Sequence, residues 1–217
     1  DFDKKVTRTK DRPIASGELS VKVGFAYSAT LCILAFLVLI NFNMFTIILA
    51  LGSMPLAFTY PLMKRLTYWP QLFLGITFNY GLILGWTSIY SEINFVPIIF
   101  YIGAIFWTLS YDTIYGFQDI RDDEIIGLKS TSIKFKKNPV VFLIVSYIVF
   151  FVSLILIGLK MDLNKFYFIF SLIIFYHLFF FQIKKLNSKD PSNCLRIFKS
   201  NNTLGFLVFL NLIIGKI

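Results

Sequence analysis

The sequence predicts an all-α fold, a polytopic transmembrane helix bundle, and three observations predict it. Of 217 residues, 57% are apolar and only 15% charged, whereas a soluble domain of ordinary composition carries about 25% charged residues. Seven apolar stretches follow one another along the chain, each a candidate to cross the roughly 30 Å hydrocarbon core of a bilayer. The connections between them alternate strongly in positive charge. A soluble globule is excluded because too few polar residues remain to face water, and disorder is excluded because it requires low hydrophobicity.

The candidate spans run over Val23–Ile40, Met44–Leu62, Leu72–Tyr90, Phe95–Phe117, Val140–Leu159, Phe166–Ile183 and Thr203–Ile214, the last being short. They are apolar all round, as membrane helices should be. The roughly ten-residue alternation of barrel strands and any defensible internal repeat are absent. Eighteen of the 21 Lys and Arg fall in four segments: Lys4 to Lys22, Lys64–Arg65, Arg121 to Lys137 and Lys184 to Lys199. The intervening connections and the C-terminal end hold only Lys160, Lys165 and Lys216. Because positive charge accumulates on the cytoplasmic side, the four basic segments are expected on one cytoplasmic face. The formal charge of +9 is then a topological signal, aided by anionic headgroups, and no nucleic-acid partner is implied.

Cys32 and Cys194 show neither disulfide nor zinc spacing. Residues 1–20 are polar and lack the apolar core of a signal peptide, and the chain begins with Asp1 rather than Met, which reads as a fragment or processed chain.

Nine of the twelve acidic residues lie in two windows on the same expected face: Asp1, Asp3, Asp11 and Glu18, then Asp112, Asp119, Asp122, Asp123 and Glu124. Asp119 and Asp123 are four apart, which on a helix puts both carboxylates on one side. Asp112 lies only about 20° off that direction, with Tyr115 on the same stripe. A fourth helix continuing past the interface would present Asp112, Tyr115, Asp119 and Asp123 as one polar stripe. Hard carboxylate oxygens so arranged suit Mg²⁺, which is usually held jointly with a substrate's phosphates. The plainer alternative is that these acids solvate a loop end and balance Arg121 and Lys129. Asp112 favours the functional reading, because an aspartate inside an apolar span costs up to roughly 2.5–3.5 kcal/mol on insertion scales and usually faces a cavity or partner.

Tyr60-Pro61-Leu62-Met63-Lys64-Arg65 ends the second span. Alone it reads as a stop with snorkelling cations; beside a carboxylate site, Lys64 and Arg65 can bind phosphate oxygens, Arg bidentately. His177 stands alone in an apolar stretch and reads as a hydrogen-bonded bundle residue rather than a ligand. A transporter or cation channel built around Asp112 is the reading from another class; the inverted repeat frequent in transporters is not seen.

These clusters together resemble the UbiA family of intramembrane aromatic prenyltransferases, most closely its 4-hydroxybenzoate branch. The matching stretches are DFDKKVTRTKDRPIASGELS (1–20), YPLMKRLTYWPQLFLG (60–75), YDTIYGFQDIRDDEIIGLKST (111–131) and, more weakly, SNNTLGFLVFL (200–210). In the family's first motif, NDxxDxxxD, only the last aspartate is matched, by Asp3. The second motif, DxxxD, falls on Asp119 and Asp123, and YxxxK falls on Tyr60 and Lys64. The family has nine helices, so the resemblance implies one membrane domain over residues 1–217 with seven helices present, the first two lacking, and an inactive fragment.

The implied reaction joins a polyprenyl diphosphate to the ring carbon ortho to the hydroxyl of 4-hydroxybenzoate, a step of ubiquinone biosynthesis. The expected metal ligands for Mg²⁺ are Asp3, Asp119 and Asp123. Lys64 would stabilise the leaving diphosphate; Tyr60, Arg8, Arg65 and Arg121 would bind substrate, Arg65 holding the acceptor's carboxylate or else the diphosphate. Asp112 would orient Lys64 or Tyr115, or assist at the metal. Homogentisate, a naphthoate or a haem-type ring are the alternative acceptors. The resemblance implies an integral protein of the bacterial inner membrane, alternatively the mitochondrial one, with its site on the cytoplasmic or matrix face.

Overall fold

The computed structural model describes residues 4, 6 and 9–217. Every regular element among them is helical, and seven segments are long and apolar enough to cross a membrane, the number read from the sequence. The first two are α1 (Val21–Leu39) and α2 (Met44–Thr59), the latter prolonged by two tight turns to Leu66. The third is a pair, α3 (Pro70–Phe78) and α4 (Tyr80–Tyr90), followed by α5 (Phe95–Gly116). A short α6 (Ile120–Ile125) precedes α7 (Pro139–Lys160) and α8 (Lys165–Tyr176), the latter running on to Ile183 with wider, π-type winding. The last span is another pair, α9 (Pro191–Lys199) and α10 (Asn201–Lys216).

Two spans depart from the sequence expectation for the same reason, a side-chain amide that competes with the helix backbone. The third span breaks at Asn79, whose Nδ2 donates to the Gly75 carbonyl at 2.8 Å and to Thr108 Oγ1 on α5 at 2.7 Å. The seventh was expected to cover only Thr203–Ile214, yet it begins at Pro191. There α9 is amphipathic rather than apolar all round: Cys194 and Ile197 are buried while Ser192 and Lys199 face outward. It passes into α10 at Ser200–Asn201, where Asn201 Nδ2 donates to the Ile197 carbonyl at 3.2 Å.

α5 is the axis of the bundle, packed against α3, α4, α7 and α9. Its approach to α7 is so close that a Cβ on Gly103 would overlap Ser153 Oγ, the small-residue contact that lets membrane helices meet at backbone distance. The core beside it is aromatic and aliphatic, with Tyr147, Phe150, Leu154, Ile174, Leu178 and Leu204 fully buried. A chain of polar groups crosses this core. Trp107 Nε1 and Gln182 Nε2 both donate to Asn201 Oδ1, at 2.8 and 2.9 Å, and the Tyr147 hydroxyl donates to Gln182 Oε1. His177 Nδ1 meets Gln182 at 3.3 Å, the hydrogen-bonded bundle histidine read from the sequence. Such a network ties helices together where lipid offers polar groups no alternative partner.

The four basic segments meet at one end of this bundle. Arg12 and Arg65 line one cavity, the Lys129 amide reaches the Lys64 carbonyl, and Cys194 and Ile197 pack with Ile114 and Phe117. The weakly charged connections meet at the other end, where Asn43 Nδ2 donates to the Thr87 carbonyl at 2.8 Å and Asn164 Nδ2 to the Ile214 carbonyl at 2.7 Å.

Candidate active site

At the basic end, α5 stops at Gly116, so the single helix expected to run past the interface does not form. Phe117–Asp119 make a turn and α6 starts afresh at Ile120. The segment that follows folds back against the end of α5, and so closely that a Cβ on Gly116 would overlap Ser132 Oγ; only glycine leaves room for this contact. The expected continuous stripe is therefore divided. Asp112 and Tyr115 stay on α5, where the Tyr115 ring packs on Phe198 of α9 at 4.3 Å between centroids. Asp119 occupies the N-terminal position of α6, and its carbonyl accepts the Asp123 N–H at 2.9 Å. That single helical turn keeps the two carboxylates on one side as their spacing required. Both are buried, Asp119 at 6% and Asp123 at 2% exposure.

Lys64 enters from the turn that follows α2. Tyr60-Pro61-Leu62 winds as a tight 3₁₀ turn, and Met63–Leu66 adds a further turn bearing Lys64 and Arg65. Lys64 Nζ lies 3.6 Å from Asp123 Oδ2, so two residues selected separately from the sequence form an ion pair. Tyr60 is half-buried beside this turn, Asp112 is half-buried near the end of α5, and Arg121 points to the exposed face of α6. Asp3 and Arg8 lie outside the described residues. Arg65 lines a cavity of about 780 Å³ together with Lys4 and Arg12, a concentration of cations suited to an anionic group.

The frame that holds the acids opposite the cations is made of Lys129, which the sequence suggests only as a charge balance, and of polar residues that the sequence reading passed over. The Lys129 amide donates to the Lys64 carbonyl at 2.7 Å, and Lys129 Nζ to the Leu66 carbonyl at 3.3 Å. The Thr131 amide donates to Gln71 Oε1 at 2.9 Å. Thr131 Oγ1 and Thr113 Oγ1 share a 2.6 Å hydrogen bond, while Ser132 Oγ donates to the Thr113 carbonyl at 2.7 Å. Apart from the Lys129 ammonium, these partners are uncharged groups. Their signal lay in PQ after YPLMKRLTYW and in GLKST after DDEII, inside the quoted stretches, and in Ser132 just past them, but only pairing in space gives them a role. Deeper along α5, a second cavity of about 380 Å³ is lined by Asn79, Trp107, Thr108, Tyr111 and Asn201, one helical turn from Asp112.

Among the described residues no three His, Cys, Asp or Glu side chains converge as a self-sufficient metal centre. Asp119 and Asp123 nonetheless fit Mg²⁺ well, because this ion takes one or two carboxylates and completes its shell with water and substrate phosphate rather than an all-protein cage.

The comparisons with known proteins agree with this architecture. Residues 1–213 match the UbiA prenyltransferase family. A human protein named "4-hydroxybenzoate polyprenyltransferase, mitochondrial" is 42% identical over 218 aligned positions, covering 100% of this chain and 58% of its own length. The bovine protein of the same name is 40% identical with the same coverage. The chain thus spans a little over half the length of these curated relatives. Among solved structures, a UbiA homolog from Aeropyrum pernix K1 superposes with TM-score 0.76 at 18% identity, over 100% of this chain and 80% of that one, which establishes a shared fold. With its helical order, its motifs and its full-length match in agreement, the chain belongs to the UbiA prenyltransferase family.

Proposed function

We propose that the protein transfers a polyprenyl group from polyprenyl diphosphate to the ring carbon ortho to the hydroxyl of 4-hydroxybenzoate. The observation that carries this reading is the Lys64–Asp123 pair: a cation and a buried carboxylate, 3.6 Å apart, on two segments clamped together beside the cationic cavity of Arg65. Such a pair can open around a diphosphate–metal unit, giving the ammonium to phosphate oxygen and the carboxylate to the metal. The names of the curated relatives support the donor and acceptor.

In the proposed reaction the allylic C–O bond breaks and its electron pair leaves on the diphosphate. The electron-rich phenol ring supplies the pair for the new C–C bond, and a base removes the ring proton to restore aromaticity. Asp119 and Asp123 would hold Mg²⁺, with Asp3 as a further ligand. The ion would supply Lewis-acid neutralisation of the leaving group, worth several kcal/mol. Lys64 contributes a fixed charge to the same oxygens. Arg65, with Arg12 and Lys4 around the same cavity, receives the acceptor's carboxylate; the runner-up role is the diphosphate. The aromatic wall of Trp107, Tyr111 and Phe198 shields the developing allylic cation from water and attracts it.

The names of the relatives also favour the mitochondrial inner membrane over the bacterial one, with the basic end on the matrix side. The test is prenyl transfer by the protein expressed from its complete reading frame in vesicles, with labelled polyprenyl diphosphate. We expect product with 4-hydroxybenzoate and little with homogentisate or a naphthoate; the reverse preference would reassign the acceptor.

A further inference from the structure

The end of the bundle remote from the aspartates holds a second feature, about 33 Å away along the 22-residue α5 at 1.5 Å per residue. A cavity of about 420 Å³ opens there among α4, α5, α7 and α10, walled by Trp86, Ile89, Phe100, Ile157 and Leu212, with Lys216 at its edge. Its lining is almost wholly apolar, with one exception: the Trp86 indole N–H is buried and has no hydrogen-bond partner among the described residues.

The distribution of charge at this end is unusual. Lys160, Lys165 and Lys216, which are the only Lys and Arg of the weakly charged connections, sit on three helix ends that converge beside the cavity. Gly158 of α7 and Gly215 of α10 both pack against Tyr167 of α8, and the Asn164 amide donates to the Gly215 carbonyl at 3.1 Å. All three lysines are exposed, and among the described residues none of them forms an ion pair. The acids of this end are Asp162 and Glu92, the latter in the short connection between the cavity-lining Tyr90 and Val96, so three lysines against two carboxylates leave a small net positive charge. Helix dipoles account for Lys160 and Lys216, which lie at C-termini, but not for Lys165, the first residue of α8, where the dipole opposes a cation.

We propose that this corner binds an anionic phospholipid, its acyl chain in the cavity, its phosphate on the three lysines and an ester oxygen accepting from the Trp86 indole. The complementarity favours net negative charge: a neutral isoprenoid would leave the lysines without a counter-charge, and a zwitterionic lipid would offer its phosphate but bring its own cation beside the three lysines. Lysines near a membrane surface each favour anionic lipid on the order of fivefold. The site is independent of the reaction proposed above.

Bromine-labelled acyl chains quench nearby tryptophan, which gives a direct test. The protein from its complete reading frame is placed in phosphatidylcholine vesicles containing brominated phosphatidylglycerol or brominated phosphatidylcholine. The fluorescence lost in Trp86→Phe is taken as the Trp86 signal. We expect that signal to be quenched preferentially by the brominated phosphatidylglycerol. Substituting Lys160, Lys165 and Lys216 together by Gln should abolish the preference, and Arg at all three should retain it. Gly85→Leu, whose new side chain enters open space beside Trp86, should weaken quenching by both lipids. Equal quenching in the wild type, a preference that survives the triple Gln variant, or relief by unlabelled polyprenol but not by unlabelled phosphatidylglycerol would each overturn the proposal.

Discussion

The backbone amide of Lys129 donates to the backbone carbonyl of Lys64 at 2.7 Å, joining two segments 65 residues apart in sequence at the point where opposite charges must face each other. On one side of this bond stands the turn with Lys64 and Arg65; on the other, α6 with Asp119 and Asp123. Because the bond is between backbone groups, side-chain changes leave it intact, and the charged residues can be probed separately from the frame.

Lys64→Met should lower turnover by about 10²–10³-fold, the usual effect of removing one preorganised charge from a developing anion. Lys64 is 43% exposed but Asp123 only 3%, so thermal unfolding of the variant, measured alongside, separates lost charge at the site from the cost of withdrawing this cation from a buried carboxylate. Lys64→Arg should recover part of the rate. Unchanged turnover with Lys64→Met would remove the residue from the diphosphate site.

Asp119→Asn and Asp123→Asn should each abolish prenyl transfer while the protein remains inserted in the membrane. Chelation of divalent cations should do the same to the wild type, and Mg²⁺ should restore it. Transfer that persists in both variants and in chelator would exclude the metal assignment.

Gly116→Ala places a methyl group where Ser132 Oγ now sits and should destabilise by about 1–3 kcal/mol, the cost of overpacking. A Gly116→Ala/Ser132→Gly double variant should regain part of this loss in thermal unfolding, although it forgoes the bond from Ser132 to the Thr113 carbonyl. A double variant no more stable than Gly116→Ala would place the strain elsewhere.

Gln71→Leu leaves the buried Thr131 amide without its acceptor, which should cost about 1–3 kcal/mol and loosen the segment that positions Asp123. Activity should therefore fall through the position of Asp123, with the loss of stability as its accompanying readout. Gln71→Glu preserves the acceptor oxygen and should restore stability more fully than Leu.

Asp190 caps α9. Its carboxylate accepts from Ser192 Oγ at 2.6 Å and from the Ser192 amide at 3.0 Å, and these bonds, the hydroxyl's first, hold its pKa below the ordinary 3.8. A carboxyl depressed in the folded state stabilises it at pH values above its unfolded pKa and loses that contribution as pH falls through the folded one. Melting curves of Asp190→Asn should thus show a shallower loss of stability below about pH 4 than the wild type. Parallel acid limbs would show that the cap does not respond to pH.

The sequence by itself determined that seven apolar segments cross a membrane, because length and hydrophobicity are local properties. It also singled out charged residues that the fold brings to one end: Asp119 and Asp123 share a face through helical spacing alone, and the excess of cations in four connections groups those connections there. Tertiary structure decided the rest. That Ser132 packs against Gly116 where α5 ends, and that Lys64 faces Asp123 beside the bond from the Lys129 amide to a carbonyl 65 residues away, are matters of packing between distant segments. Local pattern records how each segment meets the bilayer; which segments meet one another is settled by packing and hydrogen bonds among uncharged groups such as Gln71, Thr113 and Thr131, whose partners no periodicity reveals.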